Sequence, residues 1–224
     1  FDAAARDADI RVVVLAAARR AFCSGADLKS AAANPDTSLR RTARTLLHDF
    51  QPLLECITRM DKPVIAAING AAVGVGMSLA LACDLLIMAE DAYLLSPFVN
   101  IGLVPDGGAA WLLQRRMGYG RTLEYLLEAK KMPAQECLGM GVANKVVAPE
   151  ALRQSALDWA ETLSAKAPLA SALTKRIARS SAVMGFSETL TLEAELQTFC
   201  ASTEDSQEAV RAFTEKRQPE FKGR

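Results

Sequence analysis

Apolar positions follow two different spacings along this chain, and the balance between them shifts near residue 105. The stretch IRVVVLAA (10–17) is a short, β-branched and almost wholly apolar run, the pattern of a strand buried on both faces. A loop, ARRAFCSGADL (18–28), follows it. Residues 37–60 then repeat at helical spacing, with Leu39, Ala43, Leu46, Leu47, Phe50, Leu53, Leu54 and Ile57 on one broad face. KPVIAAING (62–70) reads as a second buried strand, with Pro63 tolerated at its start. GAAVGVGMSLALACD (70–84) is a Gly-rich turn running into an Ala/Leu helix, and LLIMAE (85–90) and AYLLS (92–96) add two short strands.

Beyond Pro105 the helical spacing dominates. It predicts helices over 109–117, 122–127 and 134–140, with VANKVV (142–147) as a lone strand and only helices from 149 onward. The last helix opens at STEDSQEAV (202–210), where Ser202 or Thr203 can cap it and Glu204, Asp205 and Glu208 favour its positive end; Lys216 and Arg217 sit at the negative end. The chain shows no internal repeat or low-complexity linker. It therefore reads as an α/β part over 1–148 and a helical C-terminal region over 149–224.

Composition narrows the partners. The chain has 224 residues, half of them hydrophobic, and 26 basic against 26 acidic residues give a formal net charge of zero. That balance gives no support for nucleic acid or an anionic membrane as a partner. Gly, Asn or Asp interrupts every apolar run before membrane-spanning length, so neither a membrane-spanning helix nor a signal peptide is expected. The five cysteines, Cys23, Cys56, Cys83, Cys137 and Cys200, are widely spaced without a CxxC pair, so neither a disulfide framework nor a metal site is expected, and a cytoplasmic location suits them. The single histidine, His48, reads as a surface or groove residue, and no His-based nucleophilic triad can be built.

Three features bear on chemistry. FCSGADL (22–28) follows the first strand, and its small residues let a ligand approach the backbone closely. NGAAVGVGMSLA (69–80) is a strand, a Gly-rich turn and a helix start, where unpaired first-turn N–H groups and the helix dipole favour negative charge. The third is Asp106, in NIGLVPDGG (100–108), which is either the N-cap of the helix over 109–117 or an acid facing a pocket. A dinucleotide fingerprint fails, because Gly74-Val75-Gly76 is followed by Leu79 at the third glycine position; a P-loop fails for want of GK[ST].

AFCSGADL, KPVIAAINGAAVGVGMSLALACDLLIMAE, IGLVPDGG and FTEKRQPEFKG occur in the order and at the spacing of the crotonase (enoyl-CoA hydratase/isomerase) superfamily, which the chain resembles over nearly its whole length. The resemblance implies a β-β-α spiral core, a helical C-terminal trimerisation region, and an acyl-coenzyme A thioester as substrate with no separate cofactor. Its thioester oxygen would be held by the N–H groups of Ala26 and Val75, and fixed donors there stabilise an enolate more than the neutral ground state. The resemblance places Cys23, Gly25, Asp27, Leu28, Gly74, Ser78, Phe98, Gly102, Lys216 and Phe221 at the substrate. The family binds through the chain around Asp27, so that side chain reads as structural. Lys29 and Lys216 could meet coenzyme A phosphates, or could simply be solvated. Phe221 could meet the adenine or a neighbouring subunit, or only pack. Trp111 and Met117 read as core.

Two departures select the reaction. Ser78 and Phe98 stand where family hydratases carry the two glutamates that activate water, which leaves Asp106 as the acid. The resemblance then implies an isomerase moving a double bond from the 3 to the 2 position, with Asp106 as proton shuttle, among enzymes similar to the isomerases related to phenylacetate degradation. Its apolar surround of Phe98, Ile101, Leu103 and Val104 is expected to raise its pKa. The alternatives are a hydratase with atypical water activation, a hydrolase or dehalogenase with Asp106 as nucleophile, and a non-catalytic acyl-CoA-binding protein. Family members normally begin with a further strand-and-helix segment before FDAAARDAD (1–9), and they assemble as trimers or hexamers.

Overall fold

The computed structural model describes residues 1–27 and 44–224. They fold as two compact units: the first comprises Phe1–Asp2, Val14–Arg59 and Val64–Leu157, the second Ala3–Val13, Met60–Pro63 and Asp158–Arg224.

The strands of the first unit are shared between two sheets. After α1 (Asp2–Arg6), nearly all of which belongs to the second unit, come β1 (Val13–Ala16), a π-helical turn over Thr45–Phe50 and α2 (Gln51–Arg59). Then follow β2 (Val64–Ile68), β3 (Ala71–Val73), α3 (Val75–Ala82), β4 (Leu85–Ala89), β5 (Tyr93–Leu95) and a 3₁₀ turn over Phe98–Ile101. The unit is completed by α4 (Ala109–Met117), α5 (Tyr119–Glu128), β6 (Met132–Pro133), α6 (Ala134–Gly139), β7 (Lys145–Val147) and the start of α7 (Leu152–Ser164). One sheet has the order β1-β2-β4-β7 and the other β3-β5-β6. The pairs β2–β4, β4–β7 and β3–β5 are parallel, and β5–β6 is antiparallel. Two strands, one to each sheet, and then a helix make the repeating β-β-α step.

All five residues of β2 are buried, as an uninterrupted apolar run flanked by strands on both sides requires. Two polar side chains set the register. Asp84 Oδ2 accepts the Val64 N–H at 2.8 Å, and Asn144 Oδ1 accepts the Leu86 N–H at 2.8 Å. The backbone N–H groups of Asp84 and Asn144 donate back to the Val64 and Leu86 carbonyls, both at 2.9 Å.

In the second unit, α8 (Pro168–Ser180) starts on its proline, and α9 (Phe186–Ala201) and α10 (Glu204–Glu215) follow. Thr203 caps α10, its hydroxyl accepting the Ser206 N–H at 3.2 Å. Lys216 closes that helix in the left-handed conformation. Buried Asp205 accepts the N–H groups of Lys222 at 2.7 Å and Gly223 at 2.9 Å, which anchors the C-terminal tail. Arg217 forks onto both carboxylate oxygens of Glu208 at 2.6 and 3.0 Å and holds that carboxyl down at about 2.

Several expectations change. β1 covers only 13–16 and is half-buried, because it lies at the end of its sheet with one partner strand. The strand expected alone within 142–147 is β7, and it pairs with β4. β3 lies inside the stretch that reads as a Gly-rich turn, and β6 lies between two of the predicted helices. Of the broad apolar face over 37–60, residues 37–43 lie outside the described residues. Within the rest, Leu54 and Ile57 are buried whereas Leu47 is exposed. The π turn there breaks the 3.6-residue period on which that face was drawn. The helices over 109–117 and 134–140 and the wholly helical stretch after 149 are found where expected. Among the described residues, no helix is long and apolar enough to cross a membrane.

Candidate functional site

The structure joins the two backbone cradles. Cys23 forms a parallel bridge with Ala72 of β3: its N–H donates to the Ala71 carbonyl at 3.1 Å, and its carbonyl accepts the Val73 N–H at 2.9 Å. Gly25 follows at φ +91°, and a Cβ there would come within 2.9 Å of the Val73 carbonyl oxygen. Gly76 packs even more closely, since a Cβ on it would lie 2.5 Å from the Cys23 carbonyl oxygen and 2.6 Å from the Cys23 Cβ. Neither position tolerates a side chain without moving backbone. Ala26 therefore hangs on a segment fixed against the start of α3, and it is exposed. Val75 is the first residue of α3 after Gly74 (φ +57°), so its N–H belongs to the turn that has no intrahelical acceptor.

Asp106 does not cap α4. That place is taken by Gly108 at φ 76°, with no side-chain cap, and the helix starts at Ala109. What Asp106 contributes locally is its main-chain carbonyl, which accepts the Ala109 N–H at 3.1 Å and the Ser78 hydroxyl at 2.9 Å. Its carboxyl Oδ1 is buried and has no hydrogen-bond partner among the described residues. Burial raises the pKa above the ordinary 3.8. The direction matches expectation but the surround differs, because Ile101, Leu103 and Val104 are all at least half exposed. The loop is closed instead on the side of Ser78 and Leu54: a Cβ on Gly107 would lie 2.7 Å from the Ser78 Cβ and 3.2 Å from Leu54 Cδ1.

The other candidate residues divide by place. Phe98 is nearly buried, and its ring edge lies 3.6 Å from where a Gly74 Cβ would be, so an aromatic wall backs the Gly-rich turn. Ser78, in the first turns of α3, is fully buried. Gly102 ends the 3₁₀ turn in the left-handed conformation, with no atom within 4 Å of a Cβ. Asp27 is exposed beside Ala26. Leu28 and Lys29 lie outside the described residues. Lys216 and Phe221 belong to the second unit, where Arg11 donates to the Phe221 carbonyl at 2.6 Å. Trp111, read as core, is 52 % exposed with the Arg115 guanidinium 4.0 Å from its ring, because it lies on the face of α4 opposite buried Leu112 and Leu113. Gly76 and Gly107 also shape the site, Gly76 because a Cβ would meet the Cys23 backbone and Gly107 because of its close packing on Ser78 and its positive φ. Among the described residues, no three His, Cys, Asp or Glu side chains are grouped to hold a metal ion.

Two close backbone segments, a helix start and a partly buried carboxyl with no partner on one oxygen form an arrangement suited to stabilising negative charge while moving a proton. The whole chain, residues 1–224, matches the profile of the enoyl-CoA hydratase/isomerase family. It is 38% identical to the carnitinyl-CoA dehydratase of Proteus mirabilis over 225 residues, 97% of this chain and 84% of that protein. It is 32% identical to the 1,2-epoxyphenylacetyl-CoA isomerase of Escherichia coli over 219 residues, 98% of this chain and 84% of that protein. The fold superposes on a solved enoyl-CoA hydratase from Bacillus anthracis with a TM-score of 0.93 at 32% identity, covering 100% of this chain and 85% of that one. On its sequence and its crotonase fold together, the chain belongs to the enoyl-CoA hydratase/isomerase family.

Proposed function

We propose that this acyl-CoA-processing enzyme is an isomerase that converts a 3-enoyl-CoA to the 2-enoyl-CoA. The Asp106 carboxylate takes a proton from carbon 2, between the thioester and the double bond, and returns it to carbon 4. The negative charge that develops on the thioester oxygen meets the N–H groups of Ala26 and Val75, which need no reorganisation when it appears. The observation that carries this reading is Asp106: Oδ1 is buried without a partner among the described residues, and burial raises the pKa, which is what a group that must both accept and release a proton requires. Ser78 and Phe98 at the two hydratase positions support it, because neither can act as a carboxylate base. That a relative is named as an isomerase is in keeping.

A second reading, hydration by atypical water activation, is favoured by the relative named as a dehydratase. Both are tested by incubating wild type and Asp106→Asn with 3-hexenoyl-CoA and 2-hexenoyl-CoA and separating the products by chromatography. The expected result is conversion of the 3-enoyl thioester by wild type, reduced by roughly a hundred- to ten-thousand-fold in the variant. A 3-hydroxyacyl product that survives the substitution overturns the isomerase reading and returns the protein to hydratase chemistry.

A further inference from the structure

Asp106 raises a positioning problem. A catalytic acid is usually held by hydrogen bonds to its carboxylate, but such bonds stabilise the charged form and lower the pKa. Here the carboxyl Oδ1 has no such bond among the described residues, so something else must place the group. The contacts of its loop supply the answer. The fully buried Ser78 hydroxyl donates to the Asp106 main-chain carbonyl at 2.9 Å, while the Ser78 N–H donates to the Gly74 carbonyl at 3.2 Å and closes the first turn of α3. One residue thus ties the acid's backbone to the helix whose first N–H comes from Val75. Gly107 seals the joint: its φ of +56° and the 2.7 Å from its Cβ position to the Ser78 Cβ leave no room for a side chain at 107 and room for only a small one at 78.

Resting on the isomerase reading, we propose that Ser78 is a positioning residue, which fixes Asp106 relative to the Val75 N–H through the acid's backbone. The position that would carry a water-activating glutamate in family hydratases serves here as a strut between the charge-stabilising helix and the proton-shuttling loop.

The test is Ser78→Ala, which removes the hydroxyl without adding volume and leaves the Asp106 carbonyl its Ala109 partner. With 3-hexenoyl-CoA, kcat is expected to fall about tenfold, as sub-ångström misplacement of a reacting group does, with KM within about twofold of wild type. The acidic limb of the pH–kcat profile should stay where it is in wild type, because no bond to the carboxyl has been removed. A crystal structure of the variant should show the loop around Asp106 displaced from α3. Unchanged kcat overturns the proposal. A raised KM at constant kcat also overturns it, since Ser78 would then be a substrate contact. A shifted acidic limb overturns it too, because Ser78 would then be tuning the acid rather than placing it. If wild type gives no 2-enoyl product, the isomerase reading fails separately, and the crystal structures decide: a displaced loop upholds the strut, an undisplaced one refutes it.

Discussion

The Asp106 carboxyl raises a stability question as well as a catalytic one. Its pKa in the folded chain lies above the unfolded value of 3.8, because burial disfavours the charged form. Between those two values the folded chain binds more protons than the unfolded one. The stability linked to this group is therefore complete below 3.8 and is lost as the pH rises through the raised folded value. Asparagine has no such dependence. Asp106→Asn is accordingly expected to melt higher than wild type at neutral pH while losing activity, with the gap narrowing as the pH falls toward 3.8. Thermal scans of both proteins across that range check it, and a gap independent of pH would mean the carboxyl is solvated. Much about this residue was readable beforehand, since an acid after an apolar run and before two glycines stands out. Its escape from the N-cap was not readable, because Gly107 and Gly108 at positive φ carry the chain one step further before α4 begins.

The start of α3 depends on glycine for a reason of packing. Gly76 faces the Cys23 carbonyl so closely that any Cβ meets backbone, which cannot rotate away as a side chain can. Gly76→Ala should therefore push α3 off the Cys23–Ala72 bridge, at a cost of about 1–3 kcal/mol, with a lower melting temperature and a lower kcat together. Gly120 is the control: it lies inside α5 with nothing within 4 Å of its Cβ position, so Gly120→Ala should leave kcat unchanged and hold or raise the melting temperature. A Gly76→Ala enzyme as active as wild type would show that the cradles do not need this contact. The strands on either side differed in legibility. β2 and β4 are five-residue apolar runs, whose burial pattern is written in composition. β3 has three residues inside a Gly-rich turn and is a strand only because β5 and Cys23 pair with it.

Taken by itself, the second unit leaves Val183, Phe186, Val210 and Phe213 more than two-thirds exposed on the single chain. Large exposed apolar side chains of this kind are what an interface between copies would cover. We propose that copies of this chain associate, and the family resemblance sets the number at three or six. Sedimentation equilibrium should give three or six times the chain mass of 24.0 kDa, and a monomer would contradict it.

Local pattern was enough for the class of fold and for marking the two Gly-containing segments that the structure brings together, since apolar run length, helical spacing and glycine placement are properties of neighbouring residues. It was also enough for the family, because the motif residues keep their order and spacing. It could not show that β7 joins β4, that β1 is an edge, or that Trp111 faces outward, because each depends on partners distant in the chain. The Ser78–Asp106 bond spans 28 positions, and nothing in either neighbourhood announces it. Burial and long-range hydrogen bonds arise only when separate segments meet, so the Asp106 Oδ1 left without a partner among the described residues and the Ser78 bond behind it belong to the folded chain alone.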